Sequence, residues 1–186
     1  NATRENTGLK RSDKKKIKKL ASVQSRIREE AQLVEKKLKD EKAEVFLYMI
    51  SSARVDMQES ARRLASLDTD EVTQLIQKEV LAALNRLKDA LKQERRKREK
   101  EKKEDKKKKN EQKQQSVRRL IPPLAELKLL REMQIDVHKR TQKLYDAAKA
   151  NDGDLDMIQQ RLLQRLTNKQ GNIRDVLKKM NDVLEE

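Results

Sequence analysis

The chain has 186 residues, of which 42% are charged and 34% are hydrophobic, and its formal net charge is +15. The apolar fraction lies below the roughly 45–50% of an average globular domain, which argues against one large core. Three glycines and two prolines leave long stretches without a helix breaker. The composition therefore predicts an elongated all-α protein of helical hairpins and coiled coil with a long charged helical spacer.

The composition also excludes several classes of site. Cysteine is absent, which excludes disulfides, thiolate nucleophiles and thiolate metal ligands. The longest apolar run, "VFLYMI" at residues 45–50, falls far short of the roughly 20 apolar residues that cross a bilayer. We therefore expect no transmembrane segment in this chain.

The N-terminal part carries a coiled-coil pattern. Residues 1–12 are predicted to be a disordered basic N-terminus, and one long helix, either straight or bent near Glu41, is predicted over about residues 13–66. Apolar residues recur in this helix at steps of three and four, as in the a and d positions of a heptad seam. One polar residue, Gln24, interrupts the pattern. The predicted seam for a partner helix consists of Ile17, Leu20, Ile27, Ala31, Val34 and Leu38.

A turn near residues 67–70 is predicted to close the first αα-hairpin, with Asp68 as the cap of the next helix. Residues 13–91 would thus form a long heptad helix plus a hairpin. Folding at Asp68 would lay the seam against residues 98–119, which are strongly charged. An apolar seam cannot be buried against a charged surface. The seam is therefore expected to pair with the C-terminal helices or with a second chain.

The charged segment 92–119 supports two interpretations. It carries fifteen basic and six acidic residues, and some of them, such as Glu94 and Arg98, are spaced four apart. Such pairs favour a charged helical spacer or linker. Alternatively, its cations could contact the phosphates of a polyanion. The candidate contacts are Arg95, Arg96, Lys97, Arg98, Lys106, Lys107, Lys108 and Lys109.

Residues 120–186 are predicted to form a second αα-hairpin. Pro122 and Pro123 suit the start of a helix, and apolar residues at helical spacing follow them. The sequence "NDGDLD" at residues 151–156 predicts a turn near 150–154, with Asp154 as the N-cap of the last helix.

No arrangement of residues typical of catalysis was found. His138 is the one histidine, and without a cysteine or a second histidine it cannot complete a typical transition-metal site. The calcium-like stretch Asp152–Asp156 has Leu163 where the bidentate glutamate would stand. We therefore predict that the chain is not an enzyme and has no catalytic, cofactor-binding or metal-binding residues.

Three stretches carry a family resemblance: "LIPPLAELKLLREMQIDVHKRT" (120–141), "LTNKQGNIRDVLKKM" (166–180) and "ARVDMQESARRLASLDTDEVTQLIQKEVLAALNRL" (53–87). Together they cover about two fifths of the chain, and they resemble uncharacterised coiled-coil proteins of planctomycete-type bacteria. The resemblance implies a helical protein that is exported or associated with the cell envelope, without a known activity. A cytoplasmic location is the alternative.

The sequence thus favours a non-catalytic structural or scaffolding protein that acts through coiled-coil association with itself or with another helical protein. The alternative is a basic nucleic-acid- or ribosome-associated binding module that uses the Lys/Arg-rich segments. An anionic membrane surface ranks last, because the apolar face of the N-terminal helix is narrow and lacks Trp and Phe.

Overall fold

The computed structural model describes residues 8–107 and 121–185. These residues form five α-helices: α1 (Arg11–Asp40), α2 (Glu44–Ala65), α3 (Glu71–Lys107), α4 (Pro123–Lys149) and α5 (Met157–Glu185). No β-strand occurs in the described residues, so the prediction of an all-α protein is confirmed. No helix in these two ranges is long and apolar enough to cross a membrane.

The predicted single helix over residues 13–66 is wrong, because a turn separates α1 from α2 where only a bend near Glu41 was considered. Lys42 in this turn adopts the left-handed conformation, with a φ of 50°. The next N–H, that of Ala43, donates to the Leu38 carbonyl at 3.1 Å. This bond satisfies a carbonyl that would otherwise be unpaired at the helix end, as in a Schellman motif. The chain can therefore change direction after α1, although no glycine or proline marks the place.

The start of α3 differs by two residues from the predicted cap. The Thr73 N–H donates to Asp70 Oδ1 at 2.8 Å, and Arg63 Nη2 donates to the same oxygen at 2.9 Å. Burial acts to raise the pKa of Asp70, but the bonds from Thr73 and Arg63 outweigh it and lower that pKa. Asp70 therefore caps α3, and the prediction of Asp68 was wrong.

A similar shift is found at the start of α5. The N–H groups of Ile158 and Gln159 both donate to Asp156 Oδ1, each at 2.8 Å. The Gln159 side chain accepts a bond in return from the Asp156 N–H at 3.0 Å. This reciprocal pair is a capping box, so Asp156 caps α5 and the predicted Asp154 does not.

The chain divides into two compact units. The first contains α1 up to Lys36, α2 from Met49 and α3 up to Leu84. Glu35 near the end of α1 accepts a hydrogen bond from Ser51 Oγ and lies 2.8 Å from Arg54 Nε of α2. The Arg54 contact is an ion pair without hydrogen-bond geometry. Most of the buried apolar residues of this unit come from α2: Met49, Ile50, Ala53, Met57, Ala61 and Leu64.

The second unit contains Lys37–Tyr48, α3 from Asn85, and the helices α4 and α5, which pack against each other. α4 contributes Leu129, Leu130, Met133, Val137 and Leu144 to its core. α5 contributes Leu166, Ile173, Val176 and Met180. These spacings place each set on one face of its helix. The α5 face agrees with the sequence pattern, whereas on α4 the expected Leu124 and Leu127 are exposed and Leu129 is buried instead.

Two buried or half-buried carboxylates join the helices of the second unit. Glu126 of α4 is 2% exposed and accepts the Val45 N–H at 2.8 Å, in the first turn of α2. Such N–H groups have no partner within their own helix. Glu126 therefore caps the N-terminus of α2, although it lies 81 residues further along the chain.

Asp136 of α4 is the second of these carboxylates. It lies 2.7 Å from Arg86 of α3, 3.2 Å from Arg140 and 3.4 Å from Lys169 of α5. Burial acts to raise the pKa of Asp136, but the hydrogen bond from Arg86 and the three positive charges outweigh it and lower that pKa. This carboxylate thus connects three helices.

The predicted ends of the flanking segments need adjustment. α1 begins at Arg11, so Arg11 and Ser12 belong to a helix and not to a disordered N-terminus. Residues 1–7 lie outside the described residues. α3 continues to Lys107, so the first part of the predicted spacer is helical, and residues 108–119 lie outside the described residues.

Candidate helix-association surface

The predicted seam on α1 divides into an inner and an outer half. The inner half is buried or half-buried and consists of Ile17, Ala31 and Leu38. The outer half is exposed, by 54% at Leu20, 37% at Ile27 and 44% at Val34. The six seam residues therefore do not share one environment.

The outer half forms a row along α1, which we call the α1 stripe: Leu20, Ile27 and Val34. Residues seven apart drift by only about 20° around a helix, so the three lie nearly in line. The row is about 21 Å long at 1.5 Å per residue. Val23 is half-buried and lies beside the stripe, since it stands three residues after Leu20 and four before Ile27.

Small side chains explain which side of α1 faces the interior. Ala21 and Ala31 are 7% and 6% exposed, and Leu38 is the one large apolar residue of α1 that is buried. Because the distance between packed helices depends on the side chains at the contact, alanines allow close approach. The larger residues of the α1 stripe are left at the edge, where solvent reaches them.

The expectation that the seam must pair with the C-terminal helices or with a second chain needs correction. That expectation assumed one continuous helix folded at Asp68. Because α1 ends at Asp40, α1 can instead lie beside α2, as the contacts of Glu35 with Ser51 and Arg54 show. Of the inner half of the seam, Ile17 and Ala31 thus belong to the first unit and Leu38 to the second, and the α1 stripe is the part that remains exposed.

Positive charge surrounds the N-terminal two thirds of the α1 stripe. Lys16, Lys19 and Arg26, which we call the basic rim, are exposed, and Glu30 is an exposed acidic neighbour. Residues 10–28 carry one acidic residue, Asp13, and nine basic ones: Lys10, Arg11, Lys14, Lys15, Lys16, Lys18, Lys19, Arg26 and Arg28. The surface therefore combines an apolar centre with a cationic border.

The candidate polyanion contacts of α3 lie partly within the described residues. Arg95, Arg96 and Lys97 are exposed, and Arg98 is half-buried. Arg95 pairs with Glu99 at 2.9 Å, and Lys97 pairs with Glu94. Lys106 and Lys107 lie at the end of α3, whereas Lys108 and Lys109 lie outside the described residues. Part of the positive charge of this helix is thus compensated within the helix itself.

A groove of about 410 Å³ lies between α3 and α4 in the second unit. Three cations and three carboxylates line it: Arg86, Lys128, Arg131, Asp89, Glu94 and Glu132. Since these charges balance, the groove favours neither an anionic nor a cationic ligand. It also lacks a histidine, a serine or a threonine that could act as a nucleophile or a proton shuttle.

Metal-ligand geometry gives no candidate either. Within residues 8–107 and 121–185, no group of three or more His, Asp or Glu side chains is placed to hold a metal ion. His138 is exposed on α4. That the chain has no cofactor and is not an enzyme stays a prediction, and the α1 stripe is the strongest candidate site for a binding function.

Sequence reasoning found the residues of the α1 stripe but not their separation from the inner half. The heptad pattern assigns a and d positions to one seam, and it cannot say that a neighbour covers only one of the two rows. The alanines at positions 21 and 31 were the available signal, because they mark the side that packs closely.

Comparisons with known proteins found no family model that matches this chain, no similar curated protein and no similar solved structure. The resemblance to coiled-coil proteins of planctomycete-type bacteria therefore stays a prediction.

Proposed function

We propose that this is a non-catalytic structural or scaffolding protein that associates with a further helix through the α1 stripe. The observation that carries the proposal is the exposure of three large apolar residues, each seven residues from the next, on one helix. Seven residues is the heptad repeat of coiled coils, so the row supplies one of the two apolar positions of each heptad. A helix laid along the row would remove all three side chains from water.

The energy available from the stripe limits how such a partner can bind. Burying the exposed part of each residue would contribute roughly 1 kcal/mol, or about 3 kcal/mol for the three residues. Association costs about 4–15 kcal/mol in lost translational and rotational freedom. The α1 stripe alone therefore cannot hold a complex, and the polar residues beside it must contribute.

A nucleic-acid- or ribosome-associated binding module is the second candidate. The exposure of Arg95, Arg96 and Lys97 favours it, because a solvated basic helix attracts polyanions. The ion pairs with Glu99 and Glu94 weaken this argument. Steeply salt-dependent binding to RNA, lost when these cations are replaced, would favour this candidate over helix association.

The test of the proposed function uses a variant with Leu20→Gln, Ile27→Gln and Val34→Gln, called the stripe variant. Glutamine removes the apolar surface and keeps a high helix propensity. Sedimentation velocity is run on the full chain, alone and with synthetic helical peptides that carry leucine at heptad a and d positions. We expect association of the wild-type chain with itself or with a peptide, and loss of that association in the stripe variant. Identical behaviour of both proteins would overturn the proposal.

A further inference from the structure

We propose that the occupant of the α1 stripe is an acidic amphipathic helix of another protein, with apolar residues seven apart and carboxylates beside them. This inference rests on the proposed helix-association role and adds the charge class of the partner. Its basis is the basic rim, where Lys16, Lys19 and Arg26 are exposed beside the row. Charges that flank a helix–helix seam determine which partners pair and in which orientation.

A second copy of this chain fits the basic rim less well. In a parallel pair, residues 10–28 of both chains lie side by side, and each stretch carries nine basic residues against one acidic. In an antiparallel pair centred on Ile27, residues 14–28 lie opposite residues 26–40 of the other chain, which carry five basic and four acidic residues. The first arrangement is repulsive and the second leaves the rim uncompensated. Only a partner with an excess of carboxylates supplies the missing charge.

A membrane surface or RNA could bind the basic rim but would gain little from the apolar α1 stripe. An amphipathic helix that lies in a membrane surface is commonly anchored by Trp or Phe, and α1 contains no aromatic residue. RNA would neutralise the cations, but it gains little from an aliphatic row, because bases stack on aromatic rings. A protein helix is the partner that uses both the apolar row and the cations.

The test measures binding of two fluorescent synthetic peptides to the full chain by fluorescence anisotropy. Both peptides have leucine at heptad positions a and d. One has glutamate at positions e and g, and the other has lysine there. At low salt we expect the acidic peptide to bind about tenfold more tightly than the basic one. At about 0.5 M salt the difference should shrink, because screening then acts within a few ångströms.

Variants identify the residues that produce this preference. The rim variant, with Lys16→Glu, Lys19→Glu and Arg26→Glu, should lose about tenfold in affinity for the acidic peptide. Its matched control carries Lys139→Glu, Lys143→Glu and Lys178→Glu on exposed positions of α4 and α5. The control changes the net charge equally, and we expect less than about a twofold loss from it. The stripe variant should bind neither peptide, and its circular dichroism should match the wild type.

The possible results separate this inference from the proposed function. Equal binding of both peptides, or no effect of the rim variant, would overturn the acidic partner and leave helix association standing. Dimerisation that is lost in the stripe variant, without peptide binding, would identify a second copy as the occupant and overturn the inference alone. Tighter binding to phosphatidylserine vesicles or to poly-uridine than to the acidic peptide would also overturn it. A monomer that binds no helical peptide would overturn both.

Discussion

α1 and α4 bury different shares of their large apolar residues, although both helices also expose some. α4 buries five large apolar residues, whereas α1 buries only Leu38 and two alanines. The large residues Leu20, Ile27 and Val34 of α1 are exposed. Two helices of similar length and regular apolar spacing can thus have different tasks. α4 holds a core together, and α1 is attached through a narrow inner row and presents its larger residues outward.

Among the substitutions that test this comparison, Leu129→Ala on α4 is expected to reduce stability most. Leu129 is 1% exposed, so its truncation leaves a cavity and should lower the free energy of unfolding by about 3 kcal/mol. Urea unfolding followed by circular dichroism measures it. The control is Leu124→Ala on the same helix, where the side chain is 59% exposed and we expect a loss below about 1 kcal/mol. Equal losses at both positions would show that burial does not separate the two faces of α4.

A smaller effect is expected from Asp136→Asn, which removes the carboxylate shared by Arg86, Arg140 and Lys169. The side chain of Asp136 is 15% exposed, so the three cations would lose their common anion in a poorly solvated place. We expect a loss of about 2 kcal/mol in the free energy of unfolding. Asp175→Asn, at a side chain that is 55% exposed, should change it by less than about 0.5 kcal/mol. A loss at Asp136 no larger than at Asp175 would contradict the bridging role.

The lowered pKa of Asp136 also gives this effect a pH dependence. The unfolded chain binds a proton at this carboxyl near pH 3.9, and the folded chain does so only at lower pH. The stabilisation is therefore fully present above about pH 5 and is lost as the pH falls through the folded pKa. The stability difference between wild type and Asp136→Asn should stay constant from about pH 5 to 7 and shrink below about pH 4. A difference that grows on acidification would contradict this assignment.

A stabilising change is expected from Lys42→Gly, at the turn that separates α1 from α2. Lys42 is exposed and has a φ of 50°, a conformation that disfavours residues with a Cβ. Glycine should relieve this and raise the free energy of unfolding by about 0.5–1 kcal/mol, net of its greater freedom in the unfolded chain. Urea unfolding measures it, and Lys39→Gly inside α1 should instead destabilise by about 1 kcal/mol. Destabilisation by both changes would indicate a continuous helix through Lys42.

The same turn shows how far sequence reasoning reached. The all-α fold followed from composition and spacing, and so did the apolar face of α5, whereas the face of α4 was predicted only from Leu130 onward. A bend near Glu41 was considered but not a helix end, because a left-handed lysine at Lys42 carries no sequence signal where glycine would have carried one. Because α1 and α2 were treated as one helix, the expectation for the partner of the seam was wrong.

The carboxylates Glu126 and Asp136 could not be anticipated either. Their partners Val45 and Arg86 lie 81 and 50 residues away along the chain. In the sequence both residues look like ordinary solvated charges on a helix. The residues of the α1 stripe were easier to predict, since they belong to the heptad pattern. Only the structure shows that the inner half of the seam is covered and the stripe is not.

The central claim is that the α1 stripe is an association surface and not part of the core. The most direct measurement compares the stripe variant with the wild type, by urea unfolding and by anisotropy with the acidic peptide. We expect a loss of about 1 kcal/mol per residue in the free energy of unfolding, because about half of each side chain is already covered in the folded chain, and glutamine favours helix. Peptide binding should be lost. A destabilisation of about 3 kcal/mol per residue, as for a core residue, or unchanged peptide binding would contradict the claim.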